Sequence, residues 1–112
     1  MKHEIASGKL SGYLLNLAHP DGGPKAKFFL ARGFVRERPE ELGAALEHHA
    51  LGAAEIKRVW HPGGVKVVFM CAVAAADGTR PCIYSVWIED TGASSRRLVT
   101  AYPANPLKAP AP

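Results

Sequence analysis

A chain of 112 residues, 47% hydrophobic and 21% charged, has the length and composition of one globular domain with a single core. The longest apolar run, 67–76, is half of the ~20 residues a membrane-spanning helix needs, and MKHEIASGKL lacks the apolar stretch of a secretion signal. A net charge of +4 suits an anionic partner without requiring one.

Leu10, Tyr13, Leu14 and Leu17 recur at i, i+3, i+4 and i+7, which predicts a short amphipathic helix ended by His19-Pro20. Asp21-Gly22-Gly23 reads as a loop, and Pro24 suits the first turn of a second helix that runs to about Arg32 with Gly33 as its cap. A third helix starts near Pro39 and stops before Gly52. Glu40 and Glu41 lie in its first turn and His48 and His49 in its last, as the helix dipole favours. Leu42, Ala45 and Leu46 mark its buried stripe, on which His49 lies next.

Strand patterns follow. Glu55–Trp60 is a short strand, HPGG at 61–64 a turn, and Val65–Ala75 a run of β-formers. Asp77-Gly78 signals a hairpin, and Ile83–Glu89 is the returning strand. A polar loop from Asp90 to Arg96 leads to a last strand, Leu98–Tyr102. The expected domain is 1–103, with an Ala/Pro-rich tail at 104–112. About three helices followed by three to five strands predict an α+β fold, an antiparallel sheet covered by helices on one face. Cys71 and Cys82 fall nearly opposite each other across the hairpin. They are too few for a disulfide framework or a four-ligand zinc site and read as free thiols, so a cytoplasmic protein is expected. His3 falls in a mobile terminus. Trp87 shares a strand face with Ser85 and Glu89, either half exposed for stacking on a base or packed at the rim of the core.

Two segments carry candidate chemistry. In His19-Pro-Asp-Gly-Gly-Pro-Lys25, a glycine loop meets a helix N-terminus. Free N–H groups there, with Lys25 in the first turn, suit a phosphate, and His19 is able to move a proton near neutral pH. The plainer reading is a Gly/Pro connection with a solvated lysine. In Leu98–Tyr102, Thr100 and Tyr102 share one face and offer two hydroxyls, although both are also ordinary strand residues. The phosphate-loop spacing of nucleotide-binding proteins is absent, as is any histidine pair with zinc-site spacing.

Three segments, HPDGGPKAKFFLARGF at 19–34, SVWIED at 85–90 and RLVTAYP at 97–103, together resemble a family of small bacterial toxin-like domains. That family in turn resembles the barnase–EndoU–colicin–RelE group of ribonuclease toxins in its element order and Thr-x-Tyr-Pro ending. The resemblance implies metal-independent cleavage of tRNA or another structured RNA, no cofactor, no membrane, and a small antitoxin or immunity protein as partner. It assigns His19 as general base or acid, and Lys25 with the loop N–H groups as stabiliser of the phosphorane. Thr100 would bond a phosphate oxygen, and Tyr102 would stack on a base or donate a proton. His49 is the reserve for the second acid/base role. Two alternatives stay open: a non-catalytic protein-interaction domain and a nucleic-acid-binding domain without chemistry.

Overall fold

The computed structural model describes residues 2–104, so all but the first residue of the expected tail lies outside the described residues. Strand β1 (Lys2–Glu4) comes first. Helix α1 (Ser7–Lys9) follows and runs on into a π-helical turn, Leu10–Leu14. Helices α2 (Gly23–Ala31) and α3 (Pro39–Gly52) precede strands β2 (Ala54–His61), β3 (Gly64–Ala72), β4 (Cys82–Asp90) and β5 (Ser95–Pro103). The sheet order is β1-β5-β4-β3-β2. Neighbours from β2 to β5 are antiparallel and β1 joins β5 in parallel, so the fold is α+β with a mixed five-stranded sheet.

Three local expectations change. The first helix is not a regular one from Leu10 to Leu17. Its π-turn, closed by the bond from Leu15 N to Leu10 O, carries Leu14 and Leu15 into the core and leaves Leu17 64% exposed. His3 lies in a paired strand rather than a loose end: as the middle residue of β1 it points inward and meets the Trp87 ring edge-on at 4.9 Å. Trp87 is fully buried, as core packing requires, and donates its Nε1–H to Ser85 Oγ at 3.0 Å. The α2 ending is as expected, with Gly33 at φ 91°.

The β3–β4 connection is the hairpin expected at Asp77-Gly78: Val73 N–H bonds the Pro81 carbonyl at 2.9 Å and Ala75 N–H that of Thr79 at 3.0 Å, so the ladder runs on to a tight turn. Asp77 Oδ1 accepts from Thr79 N and Oγ1, and Gly78 takes φ 86°. Cys71 and Cys82 are joined in a cross-strand disulfide, not free. That bond removes the reduced thiols on which the cytoplasmic expectation stood. No helix among the described residues is long and apolar enough to cross a membrane.

Side chains alternate across the sheet, and the core lies on one face of it. Val67 and Phe69 of β3, Ile83 and Trp87 of β4, and Leu98 and Ala101 of β5 all project to the same side. There they meet Leu10 and Leu14 of the π-turn, Phe29 of α2, and Leu42 and Leu46 of α3. Burying each of the larger of these side chains is worth roughly 2–3 kcal/mol. Strand β1 pairs only with residues 95–97 of β5. The rest of β5 is therefore an edge of the sheet, and α1, the π-turn and α2 gather beside it.

Candidate functional site

The edge of β5 brings together groups that lie far apart in the chain. Their centre is Tyr13, half-buried in the π-turn. Lys25, in the first turn of α2, donates from Nζ to Tyr13 Oη at 2.6 Å, and Thr100 Oγ1 lies 3.0 Å from the same oxygen. Lys9 Nζ stands 5.4 Å from the centre of the Tyr13 ring and donates to the carbonyl of Val99 at 3.1 Å. Val99 is the extra residue of a β-bulge in β5. The His19 ring meets that of Tyr13 edge-on, 4.9 Å between centres.

Burial alone would push the Tyr13 phenol up. The hydrogen bonds from Lys25 and Thr100 and the charges of Lys25 and Lys9 outweigh that and hold it below its ordinary value. Both partners of Oη are able to donate, which is the arrangement a phenolate needs.

The loop at 19–25 does not offer its amides to an outside anion as expected. The N–H groups of Asp21 and Gly22 both point at His19 Nδ1, at 3.0 and 2.9 Å, and that of Gly23 bonds the His19 carbonyl at 2.9 Å. With Nδ1 accepting twice, the proton of the neutral imidazole sits on Nε2. His19 is thereby fixed as a donor in the site rather than an acceptor. Glycine is needed here because the loop lies directly on the π-turn. A Cβ on Gly22 would run into the Tyr13 carbonyl oxygen and come within 2.7 Å of its Cδ1, and one on Gly23 would lie 2.7 Å from the Leu17 carbonyl oxygen.

Of the expected site residues, the structure brings His19, Lys25 and Thr100 to Tyr13. Tyr102 shares the Thr100 face of β5 but rests its ring on Tyr84, 5.2 Å away. His49 is not in the group. It is 2% exposed, with Nδ1 2.8 Å from Ser85 Oγ and Nε2 donating to the Cys71 carbonyl at 3.0 Å. Its edge lines a separate concavity of about 380 Å³ beside His48, Cys71 and Arg80. Both nitrogens are occupied, and burial holds its pKa below the ordinary histidine value despite the Cys71 bond.

Tyr13 and Lys9 are functional candidates that the sequence pattern conceals. Tyr13 fits the apolar stripe with Leu10 and Leu14, and only a phenol's need for a partner when buried hints at more. Among the described residues, no cluster of three His, Cys, Asp or Glu side chains is placed to hold a metal ion.

The profile of a domain of unknown function, DUF6883, matches residues 2–105. The chain belongs to that family. No curated protein and no solved structure matches it. The family match spans β1 through β5, so every residue of the Tyr13 group lies within the DUF6883 domain.

Proposed function

We propose that this DUF6883 domain is a toxin-like endoribonuclease that cleaves RNA at the Tyr13 group without a metal. The observation that carries the reading is the convergence of Lys25 and the Thr100 hydroxyl on one phenol oxygen at a sheet edge, with Lys9 and His19 beside the ring of the same tyrosine. Cleavage of RNA needs a base near the ribose 2′-OH, an acid for the 5′-oxygen and cations around the phosphorane. Tyr13, as phenolate, takes the proton of the 2′-OH while the 2′-oxygen attacks phosphorus. The P–O5′ bond breaks, and the leaving oxygen takes a proton from the Lys25 ammonium. The products are a 2′,3′-cyclic phosphate and a 5′-hydroxyl. The 2.6 Å hydrogen bond then returns the proton from Tyr13 to Lys25, restoring both groups. Lys9 and the Nε2–H of His19 hold the non-bridging oxygens, and Thr100 orients the phenol.

In this reading the substrate is tRNA or another structured RNA in the cytoplasm, and a small antitoxin or immunity protein keeps the domain in check. The disulfide fits a chain that meets an oxidising compartment before it acts.

The test is incubation of the purified domain with total RNA and with a defined tRNA transcript in EDTA, beside Tyr13→Phe, Lys25→Ala and His19→Ala. Discrete products ending in 2′,3′-cyclic phosphate, lost in Tyr13→Phe and Lys25→Ala, are expected. RNA that stays intact at high protein excess refutes cleavage. If that intact RNA is retained by the wild type and released by Lys25→Ala, the domain is a binding module instead.

A further inference from the structure

The helices close only one face of the sheet. Among the described residues, the sheet side chains in the core cluster belong to that face, whereas Val68 and Val86, on the opposite face, are not part of it. This second face has a chemical character of its own. Tyr84 of β4 and Tyr102 of β5 are directly paired across the strands, with ring centres 5.2 Å apart and planes tilted by 44°. Both are half-buried. Beside them lies an apolar floor, the cross-strand pair Val86 of β4 and Val68 of β3, exposed by only 3% and 7%.

The charges on this face are arranged unevenly. Lys2, Glu4, Lys57, Lys66, Asp90 and Arg97 share it by register. Its two carboxylates are paired, Glu4 with Lys2 at 3.5 Å and Asp90 with Arg97 at 3.0 Å. Lys57 and Lys66 are left without a carboxylate partner among the described residues. The face thus combines aromatic rings, a small apolar floor and uncompensated cations. It also runs into the Tyr13 group, because Thr100 lies two residues from Tyr102 on the same face, about 7 Å along the strand.

We propose that this open sheet face binds unpaired nucleobases of single-stranded RNA, stacked on Tyr102 and Tyr84, with Lys66 and Lys57 meeting the phosphates. The proposal rests on the reading above only in taking RNA as the ligand. It adds the selection of unpaired segments, such as loops of a structured RNA, over duplex. Stacking on an aromatic ring tolerates any base, and the flanking lysines follow the backbone. A base paired within a duplex has no free face to place on these rings. A protein with an acidic surface is the competing occupant, but it leaves unexplained why two tyrosine rings sit beside a phosphate-directed lysine–phenol pair.

The test uses the full chain and a labelled 2′-deoxy oligonucleotide of eight residues, which cannot be cleaved through a 2′-OH, read by fluorescence anisotropy. Single strand is expected to bind at least tenfold more tightly than the same sequence as duplex. Tyr102→Ala and Tyr84→Ala each weaken single-strand binding by roughly tenfold. Tyr102→Phe and Tyr84→Phe restore it, which a role for the hydroxyls or a mere loss of folding would not allow. Lys66→Gln lowers the affinity and reduces the salt slope by about 0.7. Single-strand affinity unchanged in both alanine variants, or equal binding of duplex, overturns the proposal. The cleavage assay separates the two ideas. Wild-type cleavage with unaffected alanine variants removes the platform alone, and tyrosine-dependent binding without cleavage removes the nuclease alone.

Discussion

Two histidine-containing polar clusters lie on the same sheet, one in the core and one at the β5 edge, and they are built for opposite ends. In the core, Trp87 Nε1–H bonds Ser85 Oγ, Ser85 reaches His49 Nδ1, and His49 Nε2–H bonds the Cys71 carbonyl. Every donor there has an acceptor, and Ser85 is fully buried. At the β5 edge, His19 Nδ1 is satisfied by its own loop while Nε2–H remains for an outside partner. Lys9 and Lys25 concentrate positive charge around one phenol. A closed network stabilises and does no chemistry, whereas an open one keeps donors and cations for a ligand.

Removing the central atom of each cluster breaks the comparison most sharply. Tyr13→Phe deletes one oxygen and is expected to lower cleavage by about 10²–10⁴-fold. The same change costs only about 1 kcal/mol of stability, measured by urea unfolding. His49→Ala should do the reverse. It takes the histidine donor from the Cys71 carbonyl and the acceptor from the Ser85 hydroxyl and opens a cavity, for a loss of roughly 2–4 kcal/mol in the same unfolding experiment. Cleavage per folded molecule should stay within about twofold. If His49→Ala abolished cleavage while leaving stability intact, the assignment of the two clusters would have to be exchanged.

The sequence exposes these clusters unequally. The order of helices and strands, the Gly33 cap and the shared face of Thr100 and Tyr102 follow from periodicity and local chemistry. So does the placing of His49 on the buried stripe of α3 with Leu42 and Leu46. What stays hidden depends on contacts between distant parts of the chain. Tyr13 and Thr100 are 87 positions apart and meet only because the π-turn lies on the β5 edge. Strand β1 is three residues long, too short for any alternation to reveal, and it forms because β5 offers it an edge. The loop amides at 21 and 22 read from sequence as an anion site. A histidine two and three residues earlier claims them, which only the folded turn discloses.

Gly22 sharpens the contrast at smaller amplitude. Its φ of −80° is open to any residue, so backbone freedom is not the issue. The added methyl of Gly22→Ala collides with the Tyr13 backbone and forces the loop off the π-turn. Overpacking of this kind costs about 1–3 kcal/mol. Because the same loop holds His19 against Tyr13, cleavage should fall together with the melting temperature, whereas Gly12→Ala, with open space around its Cβ position, should leave the site in place. A Gly22→Ala domain of unchanged melting temperature and activity would show that the loop is not seated on Tyr13.

The smallest effect expected is a pH dependence of stability that belongs to the core cluster. Burial lowers the pKa of His49 and, with help from the Arg96 charge, that of His3, relative to the 6.5 of an unfolded histidine. The unfolded chain therefore binds more protons than the native one between 6.5 and the folded values. Stability from this source is complete above pH 6.5 and declines as the pH falls through that window, by at most about 1.4 kcal/mol per unit for each histidine. Urea unfolding at pH 7.5, 6.0 and 5.0 should trace the decline, and His49→Gln should flatten it while lowering the plateau. A slope that persisted undiminished in His49→Gln would remove the buried His49 network as its source.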